Sequence, residues 1–289
     1  MPELLIAIFV FVLGTVVGSF LNVCIYRMPR DESIVAPPSH CPACGERLRP
    51  LDLIPLVSFL ALGRKCRYCG EPIAWRYFMV ESITGLAFVA AWLTSQEVWS
   101  AGAPAVAMLA AKLIFAALFI AIFFIDLDHM IIPDELVFVG IGVGVALDVA
   151  GLLLWHKPLA IVHVPWTAWV LSVPRSIVGI IVGALFFLFV EGFSQLIFRK
   201  EGMGGGDLKL GAAIGALLGP GPALLSFGLA VAAGAVVGVA LIVTRVRGRQ
   251  EYIPFGPFMV VAAFAVMLFP ALVRYAGLAY QAWRSSWAA

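Results

Sequence analysis

Residues 113–129 read LIFAALFIAIFFIDLDH: thirteen apolar side chains in succession, then a carboxylate at Asp126. The run has neither the period-two alternation of a half-buried strand nor a polar stripe at helical spacing, so it belongs where every face is apolar. Extended back to residue 105, it supplies the roughly 20 residues a helix needs to cross a hydrocarbon core about 30 Å thick. Further stretches qualify in the same way at 4–25, 77–94, 135–154, 174–198, 222–244 and 255–273. A shorter one at 207–219, DLKLGAAIGALLG, is rich in Gly and Ala, which suits a helix packed inside a bundle, and PGP at 220–222 ends it. The expectation is an all-α polytopic membrane protein of about eight transmembrane helices.

Composition points the same way. Of 289 residues, 62% are hydrophobic and 12% charged, with mean hydropathy +1.02; a soluble domain is about half apolar and a quarter charged. A net charge of +2 is too small for a nucleic-acid surface, so membrane lipid and not nucleic acid is the expected surrounding. The stretch MPELLIAIFVFVLGTVVGSFLNVCIYRMPR carries its positive charges after the apolar run and has no small-residue cleavage site, which predicts a retained anchor. The basic residues cluster: Arg27, Arg30, Arg47, Arg49, Arg64, Lys65, Arg67 and Arg76, then Arg199, Lys200 and Lys209, then Arg245, Arg247 and Arg249. If the spans alternate, all lie on one side, and the positive-inside rule makes that side the cytoplasm. Both termini and the 155–173 loop, with its tryptophans, then lie outside. The chain divides into a first transmembrane helix (1–26), a cytoplasmic four-cysteine loop (27–76) and a transmembrane bundle (77–289).

The loop contains HCPACGERLRPLDLIPLVSFLALGRKCRYCGEPIAWR (40–76), in which Cys41-x2-Cys44 and Cys66-x2-Cys69 are 21 residues apart and each pair is followed by glycine. Two such knuckles supply four thiolates to one tetrahedral ion, and the glycines let each turn fold back so that amides point at the sulfurs. The alternatives are two disulfides, disfavoured in a reducing cytoplasm, or four free thiols. Four cysteines leave a zinc ion no open position, so such a metal holds shape and does no chemistry. Cys24, unpaired near the end of the first span, reads as a small apolar residue.

Where the run at 113–125 ends, FFIDLDHMIIPDEL places Asp126, Asp128, His129, Asp134 and Glu135 together. Asp134 after Pro133 reads as a helix cap, with Asp128, His129 and Glu135 solvated. Asp126 differs because it follows the apolar run directly, where solvation falls away. Asp207, behind Gly204-Gly205-Gly206, has the matching position at the same end of the bundle. Two facing carboxylates cannot both ionise easily, so one keeps a proton: the ionised member activates a water and the protonated one polarises a carbonyl. Spacing alone does not decide between such a pair and two unrelated helix-end residues. The chain holds no Gly-x-Ser-x-Gly elbow, His-Glu-x-x-His or Walker loop, and His40, His156 and His163 lack metal-ligand spacing.

Five blocks, GSFLNVCIYRMP (18–29), CPACG with IPLVSFLALGRKCRYCG (41–70), IDLDHMIIPD (125–134), EGMGGGDLKL (201–210) and IPFGPFM (253–259), resemble in order those of bacterial type IV prepilin peptidases. They include the Gly-x-Gly-Asp signature of intramembrane aspartyl proteases. The resemblance implies an inner-membrane enzyme that cleaves the short basic leader of prepilins and pseudopilins on the cytoplasmic side, after a glycine. It also implies methylation of the new N-terminus with S-adenosylmethionine, although no Gly-rich fingerprint for that donor is present. It maps the catalytic pair onto Asp126, over Asp128, and onto Asp207. It maps the four-cysteine zinc loop onto Cys41, Cys44, Cys66 and Cys69.

Roles follow as expectations. Asp126 ends a helix and Asp207 begins one, so the macrodipole assigns the shared proton to Asp126 and the ionised base to Asp207. Gly204, Gly205 and Gly206 adopt positive φ and make room for an extended peptide. Glu81, in FMVESITG, serves substrate or methyl donor, or snorkels to the interface. Lys209 steadies the carboxylates or marks the helix end, while Glu191 and Lys112 are structural. Two rival readings are an ion-coupled transporter with a proton relay at Asp126 and Asp207, and a scaffold whose zinc loop docks a partner.

Overall fold

The computed structural model describes residues 2–95, 102–156, 159–163, 170–198, 204–244 and 253–286. Its helices are α1 (Pro2–Arg27), α2 (Val57–Ala61), α3 (Trp75–Leu93), α4 (Ala103–His129), α5 (Asp134–Trp155), α6 (Arg175–Phe198), α7 (Gly205–Leu218), α8 (Pro220–Val243), α9 (Gly256–Leu268) and α10 (Pro270–Ser286). Every stretch read as a span is helical. Among the described residues five helices are long and apolar enough to cross a membrane, α1, α4, α5, α6 and α8, and a sixth if the bent pair α9–α10 counts as one span. Two others are less apolar or shorter: α3 has 19 residues but carries Arg76 and Glu81 near its start, and α7, with 14 residues, reaches only about 21 Å.

The apolar run at 113–125 forms the centre of the molecule. Half of the α4 span is buried against protein, compared with 28% or less for the other full-length spans. One face of α4, with Ala116, Ala121 and Ile125, packs against Leu21 and Ile25 of α1 and Val80, Phe88 and Trp92 of α3. The other face, with Phe115, Phe119 and Ile122, joins Phe187 of α6, Leu210 and Ile214 of α7, Phe227 of α8 and Met259 of α9. Lys112 is buried on this helix and donates to Ser95 Oγ at 2.8 Å and toward the Thr94 carbonyl, satisfying the end of α3. That is the structural role expected of it.

In lipid, apolar surface gives helices no reason to prefer each other over the tails, so close van der Waals contact between small residues decides the pairing. The contact of α6 with α7 is of this kind. A Cβ added at Gly183 would lie 2.2 Å from the Gly211 carbonyl oxygen, and one at Gly215 would lie 2.0 Å from that of Gly179. On the far side of α7, a Cβ at Gly144 of α5 would meet the Ala216 backbone at 2.8 Å. The short helix is thereby held between two long ones, as its small residues predict.

Two features depart from the expected pattern. The 255–273 stretch is two helices bent by 90° at Phe269, because Pro270 has no N–H with which to continue α9. The 155–173 loop contains a two-stranded antiparallel hairpin, β1 (Ala160–His163) with β2 (Val170–Val173), in which Ala160 pairs with Val173. The tryptophans Trp166 and Trp169, the basic residues Arg199, Lys200, Arg245, Arg247 and Arg249, and residues 201–203 lie outside the described residues.

Replacing Gly183 or Gly215 with leucine is expected to destabilise the bundle by about 1–3 kcal/mol or more through overpacking. Gly192, on the same helix as Gly183 but with open space at its Cβ position, is the control, and its leucine variant should unfold in detergent at the wild-type temperature.

Candidate active site and metal centre

The two knuckles of the cysteine loop have matching local structure. The Gly45 amide donates to the Cys41 carbonyl at 2.8 Å and the Gly70 amide to the Cys66 carbonyl at 3.0 Å, while Cys41 and Cys66 donate to Glu46 and Glu71. Each turn closes on a glycine in the left-handed region, Gly45 at φ +73° and Gly70 at +74°, which a side chain would strain. All four sulfurs lie within 4.8 Å of one another, and Cys41 Sγ is 3.9 Å from Cys69 Sγ. Four sulfurs bound at about 2.3 Å to a tetrahedral zinc are about 3.8 Å apart, so the donor set fits one ion.

Amides point at the sulfurs, as the spacing predicts. Those of Cys69 and Tyr68 hold the Cys66 thiol down at about 7. Cys69 receives the Glu71 amide, yet desolvation and the neighbouring thiols push it up to about 12. Sulfurs so crowded ionise together only around a cation. Asp52 braces the second knuckle from outside, its carboxylate accepting from Arg67 Nε at 2.7 Å and from the Tyr68 hydroxyl and the Arg49 amide at 3.1 Å. Burial raises this carboxyl, but those donors outweigh it and hold it below the usual range.

Asp126 lies in the last turn of α4 and is 5% exposed. Asp207 is the third residue of α7, half-buried, with its amide on the Gly204 carbonyl at 3.1 Å. The ends of α4 and α7 share a neighbourhood, in which Ile132 lies against Gly206, next to Asp207, and against Gly256, next to Asp126. Asp126 Oδ2 is buried with no hydrogen-bond partner among the described residues.

The first residue of α9, Gly256, presents its amide to the Asp126 carboxyl. A Cβ there would lie 2.5 Å from Oδ2, so only glycine lets this helix start against the carboxylate. Ile132 packs beside the pair, 3.1 Å from where a Gly206 Cβ would be and 3.4 Å from where a Gly256 Cβ would be. Gly256 and Ile132 have no role in the sequence reading. The available signal is IPFGPFM, where Gly-Pro opens an apolar run as helix starts do.

Several expectations need correction. Asp126 ends α4 but also meets the Gly256 amide at the start of α9, so the two helix dipoles act on it in opposite directions and do not by themselves assign it the shared proton. Gly204 has φ −77° and ψ 148°, and Gly205 and Gly206 are helical, so none adopts positive φ; the absent side chains matter as space, open at Gly204 and Gly205 and filled by Ile132 at Gly206. Lys209 does not touch the dyad but bonds Asp134 at 2.7 and 2.8 Å, joining α7 to α5. Asp134 is the first residue of α5, after Pro133, and makes no cap bond. Asp128 is ion-paired with Arg76, which ties the start of α3 to the end of α4. Glu81 does not snorkel; it is 8% exposed and accepts from the Leu56 amide at 2.8 Å.

Residues 12–95 match the bacterial Peptidase A24 N-terminal domain and residues 113–239 the type IV leader peptidase family. The chain is 32% identical over 283 residues to a prepilin leader peptidase/N-methyltransferase of Aeromonas hydrophila, covering 90% of this chain and 89% of that protein. It is 32% identical over 280 residues to the protein of that name in Pseudomonas aeruginosa, covering 89% and 88%. With the one in Myxococcus xanthus it shares 38% identity over 243 residues, 84% of this chain, and spans 65% of that relative's length. No solved structure matches. The chain belongs to the type IV leader peptidase family. Its apolar helices and its family make it an integral inner-membrane protein.

Metal affinity of the cysteine loop is expected to fall as pH drops, because protons compete with the ion for the thiolate sulfurs. Competition titrations with a chelator between pH 6 and 8 measure this, and Cys66→Ser should weaken binding throughout.

Proposed function

We propose that the protein is an intramembrane aspartyl endopeptidase that removes the short basic leader of type IV prepilins and pseudopilins at the cytoplasmic face of the membrane. The observation that carries this is the carboxylate pair. Asp126 and Asp207 stand near each other at the end of the bundle that bears the cysteine loop, Asp126 Oδ2 has no partner among the described residues, and the Gly256 amide at the start of α9 is presented to it. The names of the relatives and the Gly-x-Gly-Asp sequence at 204–207 support the same reading.

One proton is shared by the dyad, and its two apparent pKa values belong to the pair. The ionised carboxylate takes a proton from a water, whose oxygen attacks the carbonyl carbon of the peptide bond after the leader's glycine. The protonated carboxyl donates to the carbonyl oxygen as it becomes an alkoxide. Collapse of the tetrahedral centre breaks the C–N bond, the leaving nitrogen takes back a proton, and the dyad returns with one. The helix poles at Gly205 and Gly256 keep the negative charge of the dyad tolerable in an apolar setting. The open space at Gly204 and Gly205 suits the approach of an extended substrate.

The cysteine loop holds one zinc ion through Cys41, Cys44, Cys66 and Cys69, and the metal fixes the loop's shape. The basic residues of the 27–76 loop support a cytoplasmic position for this end of the bundle and, if the spans alternate, a periplasmic one for both termini. Methylation of the new N-terminal amine with S-adenosylmethionine rests on the family and the relatives' names. The described residues form no Gly-rich turn after a strand to hold that donor.

Incubated with a pseudopilin in detergent, the wild-type protein should reduce the substrate mass by that of the leader. Asp126→Asn and Asp207→Asn, correctly inserted, should each lower the rate by on the order of 10^4-fold. No mass change with the wild type would return the transporter and scaffold readings. Gly256→Ala should lower kcat by on the order of 10^2-fold, since the added Cβ displaces either the Asp126 carboxyl or the start of α9 by about 1 Å.

A further inference from the structure

We propose that Glu81 is a positioning residue that docks the cysteine loop onto the transmembrane bundle through the backbone amide of Leu56. Glu81 sits in the second turn of α3 with its backbone hard against α1, where a Cβ at Gly18 would lie 2.8 Å from the Glu81 Cα. Its carboxylate accepts from the Leu56 amide of the loop, at 2.8 Å through Oε2. A buried carboxylate is costly without such partners, so its place beneath the loop calls for an explanation that solvation does not provide.

The backbone at Leu56 supplies it. Leu56 has φ +61° and ψ −46°, and the Val57 amide turns back to the Pro55 carbonyl at 2.6 Å. This three-residue turn is the rare, strained form for an L-residue, and such strain persists only where the surroundings over-determine it. The Leu56 amide, turned inward by the strained backbone, finds Glu81. The turn then opens α2, whose Phe59 packs at 5.3 Å on both Trp75 and Phe78 of α3. Four residues before the turn, Asp52 grips the second knuckle through Arg67 and Tyr68. Knuckle, turn and bundle thus form one connected path, and the Glu81–Leu56 bond is its polar joint.

The joint requires an acceptor and not a charge, because the Leu56 amide is a neutral donor. Glutamine at 81 keeps an acceptor of the same reach; aspartate keeps the charge and loses the reach; leucine loses both. A role in the chemistry of substrate or methyl donor would need the charge and would rank the variants differently. The proposal rests on reading the loop as part of the peptidase, but its first readout, amide exchange, is independent of cleavage.

The full-length protein in detergent is compared with Glu81→Gln, Glu81→Asp and Glu81→Leu by hydrogen–deuterium exchange over residues 54–61. Alongside it, the cobalt–thiolate spectrum of the loop and pseudopilin cleavage are recorded. The expected result is exchange within about 2-fold of wild type for Glu81→Gln and on the order of 10-fold faster for Glu81→Leu, with the cobalt spectrum unchanged. Cleavage should show a raised KM and retained kcat in the leucine variant and wild-type values in the glutamine variant. Should Glu81→Leu fail to fold, Glu81→Asp carries the test, with faster exchange expected. Wild-type exchange in the leucine or aspartate variant overturns the proposal, as does a glutamine variant as impaired in cleavage as leucine. A wild-type protein that cleaves nothing refutes the peptidase reading, while the exchange data still decide the docking.

Discussion

The constraint on which the rest of the structure depends is backbone contact between helices that lipid gives no hydrophobic reason to associate. At Gly179, Gly183, Gly211 and Gly215, α6 and α7 approach until no side chain can stand between them, so each helix has one depth and one rotation relative to the other. A short helix of 14 residues would otherwise be free to slide. Fixing it fixes its first turn, and with it the position of Asp207. The same device operates where α1 meets α3 at Gly14, Gly18 and Gly85, each with a would-be Cβ within 2.8 Å of a neighbour. Side chains that are missing do more here to set the geometry than side chains that are present.

Around the fixed pair of carboxylates the structure spends backbone polarity and not cations. Lys209 is occupied by Asp134, and Arg76 by Asp128, so among the described residues these two positive charges are already matched. What meets Asp126 is the Gly256 amide at the start of α9, and Asp207 stands in the first turn of α7; both positions favour negative charge without neutralising it. A lysine in direct contact would hold one carboxylate permanently ionised and end the sharing of a proton. The ion pairs at this end are partly exposed, about a third for each side chain of Arg76–Asp128, and such pairs contribute under about 1 kcal/mol. Their effect is register: one joins α3 to α4, the other α5 to α7, next to the dyad in each case.

The cysteine loop is a separate module in its local chemistry but not in its attachment. Its knuckles close on their own glycines and amides, and Asp52 completes them from within the loop. Glu81, from the bundle, reaches into it at Leu56, while Arg27 at the end of α1 holds the loop's beginning through the Ser33 and Pro37 carbonyls at 2.9 and 2.8 Å. A loop tied at both ends and bridged in the middle keeps its place relative to the dyad, because Arg76 at its exit is paired with a residue two positions beyond Asp126.

By itself the sequence determined those features that are local in the chain. The run at 113–125 could only be a buried helix, since no face of it is polar. The knuckles at 41–45 and 66–70 carry their ligands and their turns within five residues each, and Asp207 opens a helix because glycines precede it and small residues follow. The facing of Asp126 and Asp207 was legible only through resemblance, because 80 intervening residues say nothing about which helix ends meet. Tertiary structure decided everything that depends on which backbones touch: that Gly256 lies against Asp126, that Ile132 fills the space beside Gly206, that Lys209 serves Asp134 and not the dyad, and that Glu81 holds Leu56. A glycine looks the same in sequence whether it is a hinge, a turn or a contact, and only the neighbour that takes the place of its missing side chain says which it is.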